Sequence, residues 1–281
     1  MTYGQALADG RERLRQAGLT EADWEAWLLF AEAFETERSA YLLHSEEAAP
    51  PDGLRRYADF LRQRLQRRPT AYITGSRGFM GLDFQVDERV LIPRQDTETL
   101  VEEALERLKG KDSPRVLDLC TGSGCIAVSL AHYCPRAEVW ASDISEQALE
   151  AAKENARRCG ASVEFWAGDL FDALPAEAKG SFDLIVSNPP YVTKEEYEGL
   201  EPEVREYEPA GALVAEKDGL AFYERIAAQA AEWLGAGGQL GVEIGYAQGP
   251  RVAQLLEEAG FRSVVVRQDL NGLNRTVWGE W

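Results

Sequence analysis

Histidine and cysteine are scarce in this 281-residue chain: two of the first, His44 and His132, and four of the second, Cys120, Cys125, Cys134 and Cys159. A zinc site needs thiolates or imidazoles clustered at short spacing, and no C-x-x-C pair occurs, so no metal centre is expected. The thiols read as small buried side chains in a reducing compartment. No apolar run approaches the roughly 18 residues that a membrane-spanning helix requires. The opening residues lack the charged-then-apolar pattern of a secretory signal, so a cytoplasmic protein is expected. Lysine is missing from the first 80 residues, which hold 11 arginines against 12 acidic side chains. The remaining residues carry 19 basic against 36 acidic side chains. A surface that acidic repels phosphate backbones, so bare DNA or RNA is not expected as a direct partner and a basic protein surface is.

The rest of the composition is that of a globular chain, 45% hydrophobic and 28% charged, with room for one large core and a small second one. Residues 1–70 read as helices. Trp24, Trp27, Leu28 and Ala31 recur at helical spacing, and after Pro50-Pro51 the period resumes in Leu54, Tyr57, Leu61 and Leu65. The opposite face of that last helix carries Arg55, Arg56, Arg62, Arg64, Arg67 and Arg68 against Asp59 alone, a solvated or docking face. Gly75, Gly78 and Gly81 then punctuate short β-like pieces, which predicts a hairpin. From Arg115 the chain alternates strand and helix, the signature of a parallel sheet covered on both faces. The last two strands follow each other without a helix and predict an antiparallel edge.

The first strand of the alternating region runs into Asp118-Leu119-Cys120-Thr121-Gly122-Ser123-Gly124. Glycines at a strand-to-helix turn let a ligand approach the backbone, and the helix start offers free N–H groups. A dinucleotide fold and an S-adenosylmethionine fold share this loop, and both expect an acidic residue at the end of the next strand, where Asp143 stands. Asp118 separates them. A carboxylate beside the loop repels a pyrophosphate and suits a ligand bearing an ammonium and a sulfonium; unit charges about 4 Å apart interact by roughly 4 kcal/mol at a surface-like dielectric.

A further strand, Phe182–Ser187, feeds directly into Asn188-Pro189-Pro190-Tyr191. Two prolines fix two φ angles and remove two donors, giving a rigid loop at a strand's carboxyl end, where open α/β sheets keep their ligands. The Asn188 side-chain oxygen and the Pro189 carbonyl are two acceptors suited to an –NH2 group, with Tyr191 as a flat ring beside them. Holding both hydrogens of an amide aims its delocalised lone pair at a methyl donor and favours the transition state as positive charge develops on nitrogen.

With these motifs the sequence resembles the HemK/PrmC family of protein-(glutamine-N5) methyltransferases. The likeness spans Arg68-Pro69, Tyr72–Gly75, Phe79, Phe84, Leu91–Glu98, Asp118–Ala127, Ser142–Ser145, Val186–Tyr191, Glu208-Pro209, Glu243–Gly245 and Asp269–Gly272. The resemblance implies a class I, Rossmann-like α/β methyltransferase sheet over 94–281. It also implies a five-helix substrate-docking domain over 1–74 and a β-hairpin linker over 75–93. S-adenosylmethionine is the implied cofactor, held by Asp118, Cys120, Thr121, Gly122, Ser123, Gly124, Asp143, Asp169, Leu170 and Asn188. The implied substrate is the glutamine in the Gly-Gly-Gln loop of class I peptide chain release factors, taken by a monomeric enzyme. Asn188, Pro189, Pro190 and Tyr191, with Arg94 and Phe84, would hold that glutamine, and Asn188, Pro189 and Tyr191 would serve the transfer. Cys120 replaces a glycine usual in the family, and Leu170 stands where some members place a tryptophan against adenine. Two other readings use the same motifs: a nucleic-acid N-methyltransferase, and a non-catalytic binding module gated by S-adenosylmethionine.

Overall fold

A computed structural model describes residues 1–281 and divides into two compact units. The first is Met1–Ser76 with Glu201–Tyr207; the second is Arg77–Leu200 with Glu208–Trp281.

Within Met1–Ser76 the first unit has five helices, α1 (Tyr3–Gln16), α2 (Ala22–Phe34), α3 (Arg38–His44), α4 (Pro51–Leu65) and α5 (Thr70–Thr74), and a sixth lies in Glu201–Tyr207. Thr2 and Gln5 form a reciprocal capping box that starts α1, satisfying two otherwise free backbone donors. Pro51 opens α4, where its missing N–H costs nothing. The core joins Leu7 and Leu14 to Leu29, Phe30, Tyr57 and Leu61. Each such fully buried Leu or Phe contributes about 1.5–3 kcal/mol. The buried face of α2 is Ala22, Ala26, Leu29, Phe30 and Ala33, not the stripe through Trp24, which is 52% exposed. Both stripes have helical period, and the alanine-lined one permits the closer helix approach.

The arginines of α4 and the turn after it form no free basic face. Arg55 pairs with Asp52, Arg56 with Glu35 and Arg62 with Asp59. Arg64 is buried, its Nε 2.9 Å from Glu25 and a terminal nitrogen 2.7 Å from Glu203, which Arg67 also reaches at 3.2 Å. The segment Glu201–Tyr207 thus joins this unit through an ion cluster to which local sequence gives no clue.

The second unit begins with a hairpin, β1 (Ser76–Phe79) and β2 (Leu82–Gln85), then α6 (Glu98–Leu108). The hairpin belongs to this unit's core: Phe79 and Phe84 are buried there with Leu100, Val101 and Trp278. Next come β3 (Arg115–Leu119), α7 (Cys125–Tyr133), β4 (Glu138–Asp143), α8 (Glu146–Arg158), β5 (Val163–Ala167) and β6 (Phe182–Ser187). The short α9 (Lys194–Glu198) follows, then α10 (Pro202–Tyr207), which belongs to the first unit, and the second resumes with α11 (Ala221–Trp233), β7 (Leu234–Glu243), α12 (Gly249–Glu258), β8 (Arg262–Gln268) and β9 (Asn274–Glu280). Seven strands form one sheet in the order β5-β4-β3-β6-β7-β9-β8, parallel except that β9 runs antiparallel to both β7 and β8.

Strand side chains alternate between two cores, as a pleated sheet covered on both faces demands. Leu117, Ile185 and Val277 enter one core with Tyr223 and Val252. Val116, Leu184 and Trp278 enter the other with Val101 and Val128. The strand order reverses between β3 and β6, which opens a crevice at the carboxyl ends of those neighbours.

The buried cluster in the first unit has a stability consequence. Removing the guanidinium leaves the largely buried Glu25 without its cation and Glu203 with Arg67 alone, a loss of about 3 kcal/mol. Arg64→Ala is therefore expected to lower the denaturant midpoint sharply, whereas Arg62→Ala, whose pair with Asp59 lies in solvent, leaves it in place. Equal midpoints for the two variants would contradict this assignment.

Candidate functional site

Strand register assembles the site. Leu119 on β3 pairs with Ser187 on β6 and with Ser142 on β4, so the three chains leave the sheet side by side. The residues that follow are Cys120, Asn188 and Asp143. The Ser187 hydroxyl donates to the Leu119 carbonyl at 2.8 Å, fastening β6 to the glycine loop at its exit. The Thr121 N–H donates to the Ser142 carbonyl at 3.0 Å.

The glycine loop turns tightly. Cys120 adopts φ 60°, a left-handed conformation that costs a side chain with a Cβ about 1 kcal/mol or more and suits glycine. Gly124 has φ 79°, and a Cβ there would lie 3.0 Å from the Ala152 Cβ, so glycine lets α7 begin close against α8. Asp118 does not reach the cavity wall. Its carboxylate is fully buried under the loop, where Oδ2 accepts from the Thr121 hydroxyl at 2.6 Å and the Ala127 N–H at 3.2 Å. Its Oδ1 has no partner. Burial pushes the carboxyl up to about 7, with those two hydrogen bonds opposing. It braces the loop from below and does not border the cavity.

Asp143 does line the cavity. Its Oδ2 accepts from the Gly122 N–H at 2.9 Å and its Oδ1 from the Ser145 N–H at 2.9 Å. Burial raises its pKa above the usual carboxylate value, and these bonds limit the rise. The Ser145 hydroxyl caps α8 by accepting from the Ala148 N–H.

These elements enclose a cavity of about 370 Å³, within the range of small-ligand sites. Cys120, Thr121, Gly122, Ser123, Asp143, Asp169, Leu170, Asn188 and Arg94 all border it. Leu91, Pro93, Ile144 and Pro209 also border it, from segments that carry the family likeness, whereas Phe222, on a helix face, carries no sequence signal. Besides Asp118, four residues given site roles do not border it: Gly124, Phe84, Pro189 and Tyr191. Phe84 is fully buried, edge-on to Phe79 at 6.0 Å. Pro189 is buried. Tyr191 is half-buried with its hydroxyl 3.5 Å from Glu243 Oε1, while Pro190 takes the place at the wall.

The donor set fits S-adenosylmethionine. The wall's three guanidinium groups are all engaged by carboxylates: Arg89 by Asp87 and Glu154, Arg94 by Glu208 at 2.5 Å, and Arg225 by Asp169 at 2.8 Å. No cation is left over for a pyrophosphate. The Asp143 carboxylate keeps lone pairs for a ribose diol, Gly122 leaves open space at the loop, and Leu170 offers an apolar face.

Asn188 is oriented from behind. Its Nδ2 donates to the Thr97 hydroxyl oxygen at 3.2 Å, which leaves Oδ1 as the free acceptor of a side chain that borders the cavity.

Comparison with known proteins adds the family. Residues 96–201 match the methyltransferase small domain and residues 5–75 the PrmC N-terminal domain. The chain is 45% identical to the release factor glutamine methyltransferase of Bordetella pertussis, over 91% of this chain and 93% of that protein. It is 42% identical to that of Geobacter sulfurreducens, over 99% of this chain and 96% of the relative. A methyltransferase structure from Pyrococcus furiosus shares the fold at TM-score 0.52 and 17% identity, covering 79% of this chain and 98% of that one. The Thermus thermophilus rRNA methyltransferase RsmC shares it at TM-score 0.51 and 22% identity, covering 73% and 49%. With relatives aligned along almost its whole length, the chain belongs to the release factor glutamine methyltransferase family and is an S-adenosylmethionine-dependent methyltransferase.

Proposed function

We propose that this enzyme methylates N5 of the glutamine in the Gly-Gly-Gln loop of class I peptide chain release factors. The observation that carries the reading is the tethering of Asn188 Nδ2 to Thr97, which commits Oδ1 to acceptance at the wall of the cavity that the glycine loop and Asp143 also line. When bound, S-adenosylmethionine supplies an electrophilic methyl. The protein's task is to make a poor nucleophile face it. Asn188 Oδ1 takes one hydrogen of the substrate amide, and the Pro189 carbonyl is assigned the other. Both acceptors gain strength as positive charge grows on the nitrogen, so they favour the transition state over the bound amide. The methylated nitrogen is acidic and loses its extra proton readily, so no strong base is required beforehand. Glu208 keeps Arg94 at the rim by a 2.5 Å ion pair and also accepts from the Ile92 N–H at 3.1 Å. We assign Arg94 to the substrate backbone and the helices of residues 1–74 to release factor docking. The acidic surface of residues 81–281 suits a basic protein partner better than a phosphate backbone.

The reading is tested by transfer of radiolabelled methyl to unmethylated release factor, beside a control whose Gly-Gly-Gln glutamine is replaced. Label lost with that glutamine supports it; label on ribosomal RNA or DNA instead overturns it. Asn188→Ala should lower kcat by about 10²–10³-fold, the scale of one transition-state hydrogen bond in a preorganised site. Its cofactor Kd, measured by calorimetry, should barely move. Asp143→Asn should do the opposite, weakening cofactor binding by about 10–100-fold through loss of a charged acceptor.

A further inference from the structure

Behind the Asn-Pro-Pro-Tyr loop lies a polar cluster assembled from distant parts of the chain. Glu243 ends β7 and is 1% exposed. Its Oε1 lies 3.5 Å from the Tyr191 hydroxyl, and the Thr97 hydroxyl helps to hold the carboxylate in its charged form. Thr97 is itself buried and, on its other side, accepts from Asn188 Nδ2. The titratable and charged groups facing Glu243 are Asp96, Cys125, Tyr191, Tyr223 and Arg275. Arg275 is the cation among them, and it is shared with Asp96 at 3.1 Å and Asp269 at 3.0 Å. Glu243 Oε2 has no hydrogen-bond partner. The carboxylate does not border the cavity, so it has no direct part in the transfer.

We propose that Glu243 is a positioning residue: through Thr97 it dictates which end of the Asn188 amide faces the substrate, and through Tyr191 it holds the ring that closes the loop. The inference deepens the assignment of Asn188 and rests on it. An ionised carboxylate only accepts hydrogen bonds. Facing one, the Thr97 hydroxyl must spend its single hydrogen on Glu243, which leaves its oxygen to accept. Asn188 can meet an acceptor only with Nδ2, so Oδ1 is delivered to the cavity. A protonated Glu243 reverses the chain. It can donate to Thr97, the Thr97 hydrogen turns toward Asn188, and the amide answers with Oδ1, leaving an –NH2 group where the substrate amide needs an acceptor. Glu243 is buried away from the cavity, so solvent offers its carboxylate no substitute partner. Burial pushes the Glu243 carboxyl up to about 7, with Thr97 and Arg275 opposing and Asp96 adding, so the reversal falls in an accessible pH range.

The test compares the full-length enzyme with Glu243→Gln, Thr97→Val and Thr97→Ser from about pH 5 to 9. Wild-type kcat is expected to rise through about pH 7 with a single ionisation, while the KM for release factor stays level. Glu243→Gln, whose amide both donates and accepts, should lose that limb and about ten- to a hundredfold of kcat, the scale of a small misplacement. Its cofactor Kd and thermal midpoint should match the wild type. Thr97→Val should reproduce the loss and Thr97→Ser restore most of the rate. An unchanged limb and kcat in Glu243→Gln overturn the proposal. A second readout needs no methyl transfer: the side-chain NH2 signals of Asn188, identified by their loss in Asn188→Ala. In the enzyme alone they should shift across the same pH range in wild type and stay fixed in Glu243→Gln. Signals that ignore pH sink the positioning role even if glutamine is methylated. Signals that follow Glu243 in an enzyme that methylates no release factor support the link and overturn the reading of substrate instead.

Discussion

Parallel pairing of β3 with β6 is the constraint on which the rest of the site depends. These strands are neighbours in the sheet but far apart in the chain, because β4 and β5 are laid down on one side before the chain returns. Their pairing of Leu119 with Ser187 sets the exit points of the glycine loop and the Asn-Pro-Pro-Tyr loop next to each other. A one-residue slip would turn every buried side chain of β6 to the wrong core, so the register is enforced by both hydrophobic layers. The Ser187-to-Leu119 hydrogen bond adds a fixed point at the very edge where the ligands are taken. Positioning of donor and acceptor is thus a property of the sheet, and the loops need only be stiff. Proline supplies that stiffness on one side and the buried Asp118 carboxylate on the other.

Beneath those loops the polar residues are arranged so that little is left to rotate. Asp143 spends both oxygens on backbone N–H groups of the loops it joins. Asn188 is oriented by Thr97, and Gln248 donates to the Tyr191 carbonyl at 3.1 Å while accepting from the Gly245 N–H at 2.9 Å. Gly219 packs so closely that a Cβ there would fall 2.3 Å from that same Tyr191 carbonyl. A loop clamped from both sides pays its ordering entropy on folding instead of at each turnover, which is the general route to a preorganised site.

Much of this was legible in the residues. Short buried runs such as the ones ending at Leu119 and Ser187 announced their strands. The two loops were visible because glycine and proline act through local backbone geometry. Tertiary partners were harder to read. Arg64 looked like its neighbours on a basic helix, and only folding shows it buried between Glu25 and Glu203. Phe84 was given a substrate role by the resemblance alone, and folding buries it in the core beside Phe79. Asp118 was read for its charge, whereas burial beneath the loop decides its role. Glu243 was legible only as part of the family likeness, with no hint of its partners, since residues 97, 191 and 275 are brought to it by topology.

The central claim is that Asn188 presents its oxygen to the nitrogen that is methylated. It is tested most directly by a crystal structure of the enzyme with S-adenosylhomocysteine and a Gly-Gly-Gln release factor fragment. The account predicts the glutamine side-chain nitrogen within hydrogen-bonding distance of Asn188 Oδ1 and facing the sulfur, with Asn188 Nδ2 still on Thr97. A glutamine held elsewhere, or an Asn188 amide turned with its nitrogen toward the substrate, would contradict it.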